Sequence, residues 1–127
     1  MLKLFLGFTG IIFASYGGYL FIEPQILVDM LDIGDSVPMK VEIRAMYGGL
    51  QVGIGLLMLW AVMRTELEQQ MAFATLIACF GGLAIGRAGG ILIDGGDSYN
   101  SPVFIFESAS LLISVYGYFK LKRQRAS

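Results

Sequence analysis

The chain has 127 residues, 56% of them hydrophobic and only 15% charged, with 17 glycines and a mean hydropathy of +0.70. That balance is far more apolar than a soluble domain and reads as a single integral membrane domain of four hydrophobic helices, with no room for a separate catalytic domain. A net charge of −1 offers no nucleic-acid-binding surface, a lone Cys79 excludes an intrachain disulfide framework or thiolate metal cluster, and the absence of histidine removes the usual haem ligand, metal ligand and general base.

The first predicted span covers residues 2–22, flanked by Lys3. Its apolar run is long for a signal peptide and no A-x-A site follows, so it is expected to be a retained helix. Gly10, Ala14 and Gly18 form a small-residue ridge on it, and Tyr16, Tyr19 and Glu23 follow one another at i, i+3 and i+7. The connection 23–42 is acidic, with Asp29, Asp32 and Asp35 against Lys40. Pro24 and the apolar run Gln25 to Asp32 predict a short interfacial helix that caps the mouth of the bundle, with a plain linker as the alternative, since Gly34 and Pro38 are expected to end regular structure there.

The second span is predicted at 43–63, with Arg44, Tyr47 and Gln51 on one face and Glu42 on another side as a helix-start acid. Arg64 lies in the short second connection. The third span, 71–93, carries Arg87, with Asp94 two turns further on the same side, and the third connection holds Asp94 and Asp97. The fourth, 102–119, repeats the i, i+3, i+7 pattern with Glu107, Ser110 and Ser114, and the tail is basic through Lys120, Lys122, Arg123 and Arg125. Gly49 with Gly53, and Gly82, Gly86 and Gly90 in succession, form GxxxG ridges expected to pack helices within the bundle or between copies. Tyr16-Gly17-Gly18 and Tyr47-Gly48-Gly49 show a weak self-similarity.

Basic residues at both ends and in the second connection predict both termini in the cytoplasm, with the acidic first and third connections outside. On that topology Arg87 lies roughly 10 Å, and Glu107 roughly 7 to 8 Å, below the outer boundary. A charge near the bilayer centre costs about 2.5 to 3.5 kcal/mol on insertion scales, so such residues pair, face inward and mark a site. Glu42, Arg44, Tyr47, Gln51, Arg87, Asp94 and Glu107 are therefore the candidate polar cluster, an outward-opening pocket. Two readings stay open: a ligand or transport site, or structural ion pairs of Arg44 with Glu107 and of Arg87 with Asp94 or Glu42. Tyr16, Tyr19, Tyr99 and Trp60 are expected as interfacial anchors, and the basic tail as a topology signal in contact with anionic lipid.

The run Glu42-Ile43-Arg44-Ala45-Met46-Tyr47-Gly48-Gly49, followed by Gly53 and Gly55, resembles the signature of a bacterial family of small four-helix membrane proteins of unknown function. More loosely, the chain resembles the DoxX-like group. Arg87-Ala88-Gly89 and Glu107 fall where that family has its polar residues. The resemblance implies the four-helix fold and a bacterial inner-membrane setting. DoxX-like relatives include membrane subunits linked to sulfur or quinone redox chemistry, and no cofactor-binding residues carry over.

Three functions follow as expectations. The favoured one is a non-enzymatic binder or accessory subunit, with an outward pocket for a lipid-like or small polar molecule, or ridges that dock a second copy or a larger membrane complex. The second is an oligomeric transporter with Glu107 as its protonatable group. The third is the membrane subunit of a quinone-linked oxidoreductase, with the quinone head held by Tyr47, Arg44 and Glu107. No catalytic residue, metal or resident cofactor is predicted beyond that quinone, and no nucleic-acid partner.

Overall fold

Apolar runs of this length are stable in hydrocarbon only when each satisfies its own backbone hydrogen bonds, which a helix does. The computed structural model describes residues 1–96 and 99–126 and contains no strand among them. In chain order the elements are α1 (Leu2–Ile22), α2 (Gln25–Leu31), α3 (Val37–Glu42), a π-helical segment (Ile43–Gly49), α4 (Leu50–Val62), α5 (Glu66–Asp94) and α6 (Asn100–Gln124). Since α3, the π segment and α4 run on as one rod, four helices are long and apolar enough to cross a bilayer, which suggests a multi-pass membrane protein. Only 17 to 28% of each apolar window is buried, so most of the greasy surface faces outward, as it does on helices solvated by lipid. Asp97, one of the acids of the third connection, lies outside the described residues.

The chain forms two compact helical hairpins, residues 1–63 and 64–127. In the first, α1 packs along α4 and the π segment at very short range. A Cβ at Gly55 would lie 2.5 Å from Ala14 N and 2.7 Å from Gly10 O, and one at Gly10 would lie 2.8 Å from Leu59 Cγ. Further along, a Cβ at Gly17 would stand 2.8 Å from Gly48 O, and one at Gly48 would stand 2.9 Å from Phe21 Cβ. The two Tyr-Gly-Gly motifs thus meet through their middle glycines.

Of the expected small-residue ridges, the Gly10–Ala14 one makes this contact and the GxxxG glycines do not make one within their own hairpins. Around Gly53, Gly82, Gly86 and Gly90 no atom of the same hairpin comes within 4 Å of a Cβ position, and at Gly49 the nearest is Arg44 O of its own helix at 3.6 Å. Spacing identifies a ridge but not the side it presents, and within their own hairpins none of these five glycines is in close contact with the partner helix.

The segment between α1 and the second rod packs back on the hairpin. Leu27 and Val28 of α2 bury against Leu20 and Ile43, with Met39 alongside. Asp32 ends α2 in the left-handed conformation (φ 50°), which Asp tolerates through local hydrogen bonding. Pro38, expected to break regular structure, instead sits in the first turn of α3, where a missing N–H costs nothing, and Ser36 Oγ accepts from Met39 N–H at 3.4 Å. The second rod accordingly starts at Val37 rather than residue 43, which places Glu42 past the first turn, exposed, and removes its role as a helix-start acid.

In the second hairpin, Thr65 and Glu68 form a reciprocal capping box that starts α5. Phe73, Leu76, Phe80 and Ala84 of α5 and Glu107, Ser110, Ser114, Gly117 and Leu121 of α6 are buried, so the predicted Glu107–Ser110–Ser114 face is an inward one. Gly117 lies under the fully buried Phe73, whose ring would be 2.6 Å from a Cβ there. Phe80 and Phe106 meet edge to face across the hairpin at 6.2 Å. Near the chain end Arg125 Nη1 donates to Gln70 Oε1 at 2.8 Å, so one tail cation fastens α6 to α5.

Candidate functional site

Arg87 lies seven residues before Asp94, the end of α5, and Glu107 seven residues after Asn100, the start of α6. Two antiparallel helices joined by a short connection bring such positions to the same depth, roughly 10 Å from the helix ends. There Arg87 Nε donates to Glu107 Oε2 at 2.8 Å and Nη2 donates to Glu107 Oε1 at 2.9 Å. Nη1 donates to Asn100 Oδ1 at 2.6 Å. This is the two-pronged geometry that makes arginine–carboxylate pairs strong. The Glu107 side chain is 5% exposed and that of Arg87 22%. No buried side-chain nitrogen or oxygen among the described residues lacks a hydrogen-bond partner.

The pairing differs from the expected one. The sequence offers Arg44 with Glu107, and Arg87 with Asp94 or Glu42; matched depth within one hairpin instead gives Glu107 to Arg87. Asp94 stands at the exposed end of α5 and carries no ion pair among the described residues.

Arg44 has a different task. Its Nε donates to Phe21 O at 3.0 Å. Phe21 is in the last turn of α1, whose carbonyls have no helical partner and form the negative end of the helix dipole, so the guanidinium caps α1. Gly48 and the Cβ of Gln51 also meet α1, whereas Tyr47 is 45% exposed. The predicted Arg44–Tyr47–Gln51 face is therefore broken: a π segment closes its hydrogen bonds one residue further along than an α-helix, so Gly48 rather than Tyr47 takes the inward position. Tyr16 and Tyr19 lie exposed on α1, and Glu23, which follows its last residue, is exposed as well.

Beside the ion pair the second hairpin opens a cleft of about 510 Å³. Gly86 and Gly90 line it with bare backbone, Leu83 and Ile91 give it apolar walls, and Arg87, Asp94 and Asn100 supply its polar groups. The glycines that looked like packing ridges thus keep part of this cleft open. Its size falls within the range of small-molecule sites, with few polar groups on otherwise apolar walls. Asn100 was missed in the sequence, although an amide in the first turn of a span, just ahead of Pro102, was a usable signal. Gln69 and Gln70 were missed as well. Both are buried at the other end of the hairpin, where Gln69 Nε2 donates to Arg64 O at 2.7 Å.

A family model, DUF4345, a domain of unknown function, matches residues 1–117. No curated protein and no solved structure significantly matches the chain.

Proposed function

The chain belongs to the DUF4345 family, and we propose that it acts as a non-enzymatic membrane binder or accessory subunit whose second hairpin holds a lipid-like or small polar molecule in the Arg87 cleft. The observation that carries this reading is the cleft of about 510 Å³ set against an ion pair between the half-buried Arg87 and the buried Glu107. An ion pair in an apolar helix hairpin is costly to build and seldom outperforms well-packed apolar residues in stability alone. A cleft directly beside it gives the pair a second use, to fix the shape and polarity of a pocket wall. The distribution of basic residues favours both termini in the cytoplasm, so that the cleft mouth at Asp94 opens on the outer side of a bacterial inner membrane.

The other two readings draw less support. A transporter in which Glu107 takes up and releases a proton must first separate a carboxylate whose two oxygens are both engaged by one guanidinium. A quinone held by Arg44 competes with the hydrogen bond that caps α1.

The test is thermal unfolding of the protein in a neutral maltoside detergent, with and without total membrane lipid extract, for wild type and Gly90→Leu. A ligand at a hundred times its Kd stabilises by about 2.7 kcal/mol. The proposal predicts stabilisation of wild type and little of Gly90→Leu, whose side chain would start from a cleft-lining position where a Cβ meets nothing within 4 Å and would take up room in the cleft. Equal stabilisation of both, or of neither, counts against it.

A further inference from the structure

We infer that the cleft selects for positive charge: it takes the ammonium end of an amphipathic amine and not an anion, although an arginine lines it. This deepens the binding role proposed above and rests on it.

An arginine in a pocket ordinarily suggests a carboxylate or phosphate ligand. Here the charge of Arg87 is already matched, because both oxygens of Glu107 accept from its guanidinium and Asn100 Oδ1 accepts from its third nitrogen. The ion pair contributes no net charge to the cleft. What remains is Asp94, exposed at the mouth and without an ion pair among the described residues. Asp94 is also the last residue of α5, whose own hydrogen-bond ladder ends with Gly95 N–H on Ile91 O at 3.1 Å. The carbonyls at that terminus form the negative end of the helix dipole and add to the field of the carboxylate. Gly95, at φ +94°, turns the chain away from the helix axis at this point. Among the described residues, Arg87 is the one basic residue of the lining.

The shape agrees with the charge. Asp94 is at the end of the helix and Arg87 two turns deeper, roughly 10 Å along the axis. Leu83 lies deeper still, and the Gly86 and Gly90 backbone lets a chain-like body lie close along the helix. A molecule with an ammonium at the mouth and a hydrocarbon body running inward fits this order of groups. Both the head of an amine-bearing lipid and a free alkylammonium have that chemistry.

The experiment uses the full chain in a neutral maltoside detergent. Isothermal titration compares hexylammonium with hexyl sulfate, and native mass spectrometry compares retention of phosphatidylethanolamine with that of phosphatidylglycerol. The expected result is binding of hexylammonium and not of hexyl sulfate, weakened about tenfold in Asp94→Asn, restored in Asp94→Glu and abolished in Gly90→Leu. Preferential retention of phosphatidylethanolamine assigns the site to a lipid head. Equal retention of the two lipids, with hexylammonium still bound, assigns it to a free amine. Hexyl sulfate binding as tightly as hexylammonium, or Asp94→Asn binding like wild type while Gly90→Leu does not, overturns the cation preference and leaves the binding role standing. If no probe or lipid binds wild type more than Gly90→Leu, both fail.

Discussion

Arg87 on α5 and Glu107 on α6 are joined by two parallel hydrogen bonds of 2.8 and 2.9 Å, and with Asn100 as a third partner this contact fixes the two helices against each other two turns from their connection. The pair is tolerable in an apolar setting because each charge is the other's solvent. Removing one partner is therefore much worse than removing both. Arg87→Met and Glu107→Met are each expected to destabilise by about 3 kcal/mol, and the double substitution to recover most of that. Chemical unfolding of the three variants in detergent checks this. A double variant as unstable as the sum of the single ones would show that the two groups act independently.

Arg44 is a capping group with a single backbone acceptor, Phe21 O. A lysine supplies one donor, so Arg44→Lys is expected to cost less than about 1 kcal/mol, the net value of an ordinary hydrogen bond. Arg87→Ala, which strands a buried acid, should depress yield and melting temperature much more. Comparable, near-native yields for the two would remove the structural role assigned to the ion pair.

Gly53 and Gly55 lie two residues apart on α4 and are expected to respond in opposite ways. At Gly55 a Cβ meets the backbone of Ala14 and Gly10, which has no rotamer to escape into, so Gly55→Ala should destabilise by about 1 to 3 kcal/mol. At Gly53 nothing of the hairpin is within reach, so Gly53→Ala should be neutral or raise stability through helix propensity, worth up to about 1 kcal/mol. Thermal unfolding of the two variants side by side is the measurement. A larger loss at Gly53 than at Gly55 would contradict the contacts assigned to the two glycines.

Gly117 exists to seat Phe73. Gly117→Val is expected to disrupt the second hairpin, and a shortened partner, Phe73→Leu, should restore much of the loss when combined with it. A double-mutant cycle with no coupling would contradict that contact.

Much of this was legible in the sequence, and the failures have identifiable causes. The residue ranges 2–22, 43–63, 71–93 and 102–119 each fall on one of the four long helices, because apolar runs of that length can form little else in a bilayer. The placement of Arg87 with Asp94, and of Glu107 with Ser110 and Ser114, was also readable, since α5 and α6 keep a regular helical period throughout. The second rod was not, because the π segment at Ile43–Gly49 shifts the period and turns Gly48 inward in place of Tyr47. Pro38 misled because the residue that breaks a helix from within also starts one. Spacing alone could not rank the glycines: Gly49 with Gly53 and Gly10 with Ala14 have the same spacing, and only the second pair meets a helix of its own hairpin. The similar depth of Arg87 and Glu107 was readable too, but depth alone does not say which of several helices faces Arg87, so their pairing was not.

The central claim is that the cleft beside Arg87 holds a non-protein ligand, and native mass spectrometry of mildly extracted wild type and Gly90→Leu tests it most directly. The account predicts a discrete bound mass on the wild-type protein that is lost from a Gly90→Leu variant unfolding at the same temperature as ligand-free wild type. A wild-type protein that carries no such mass, or a bound mass retained equally by Gly90→Leu, would contradict it.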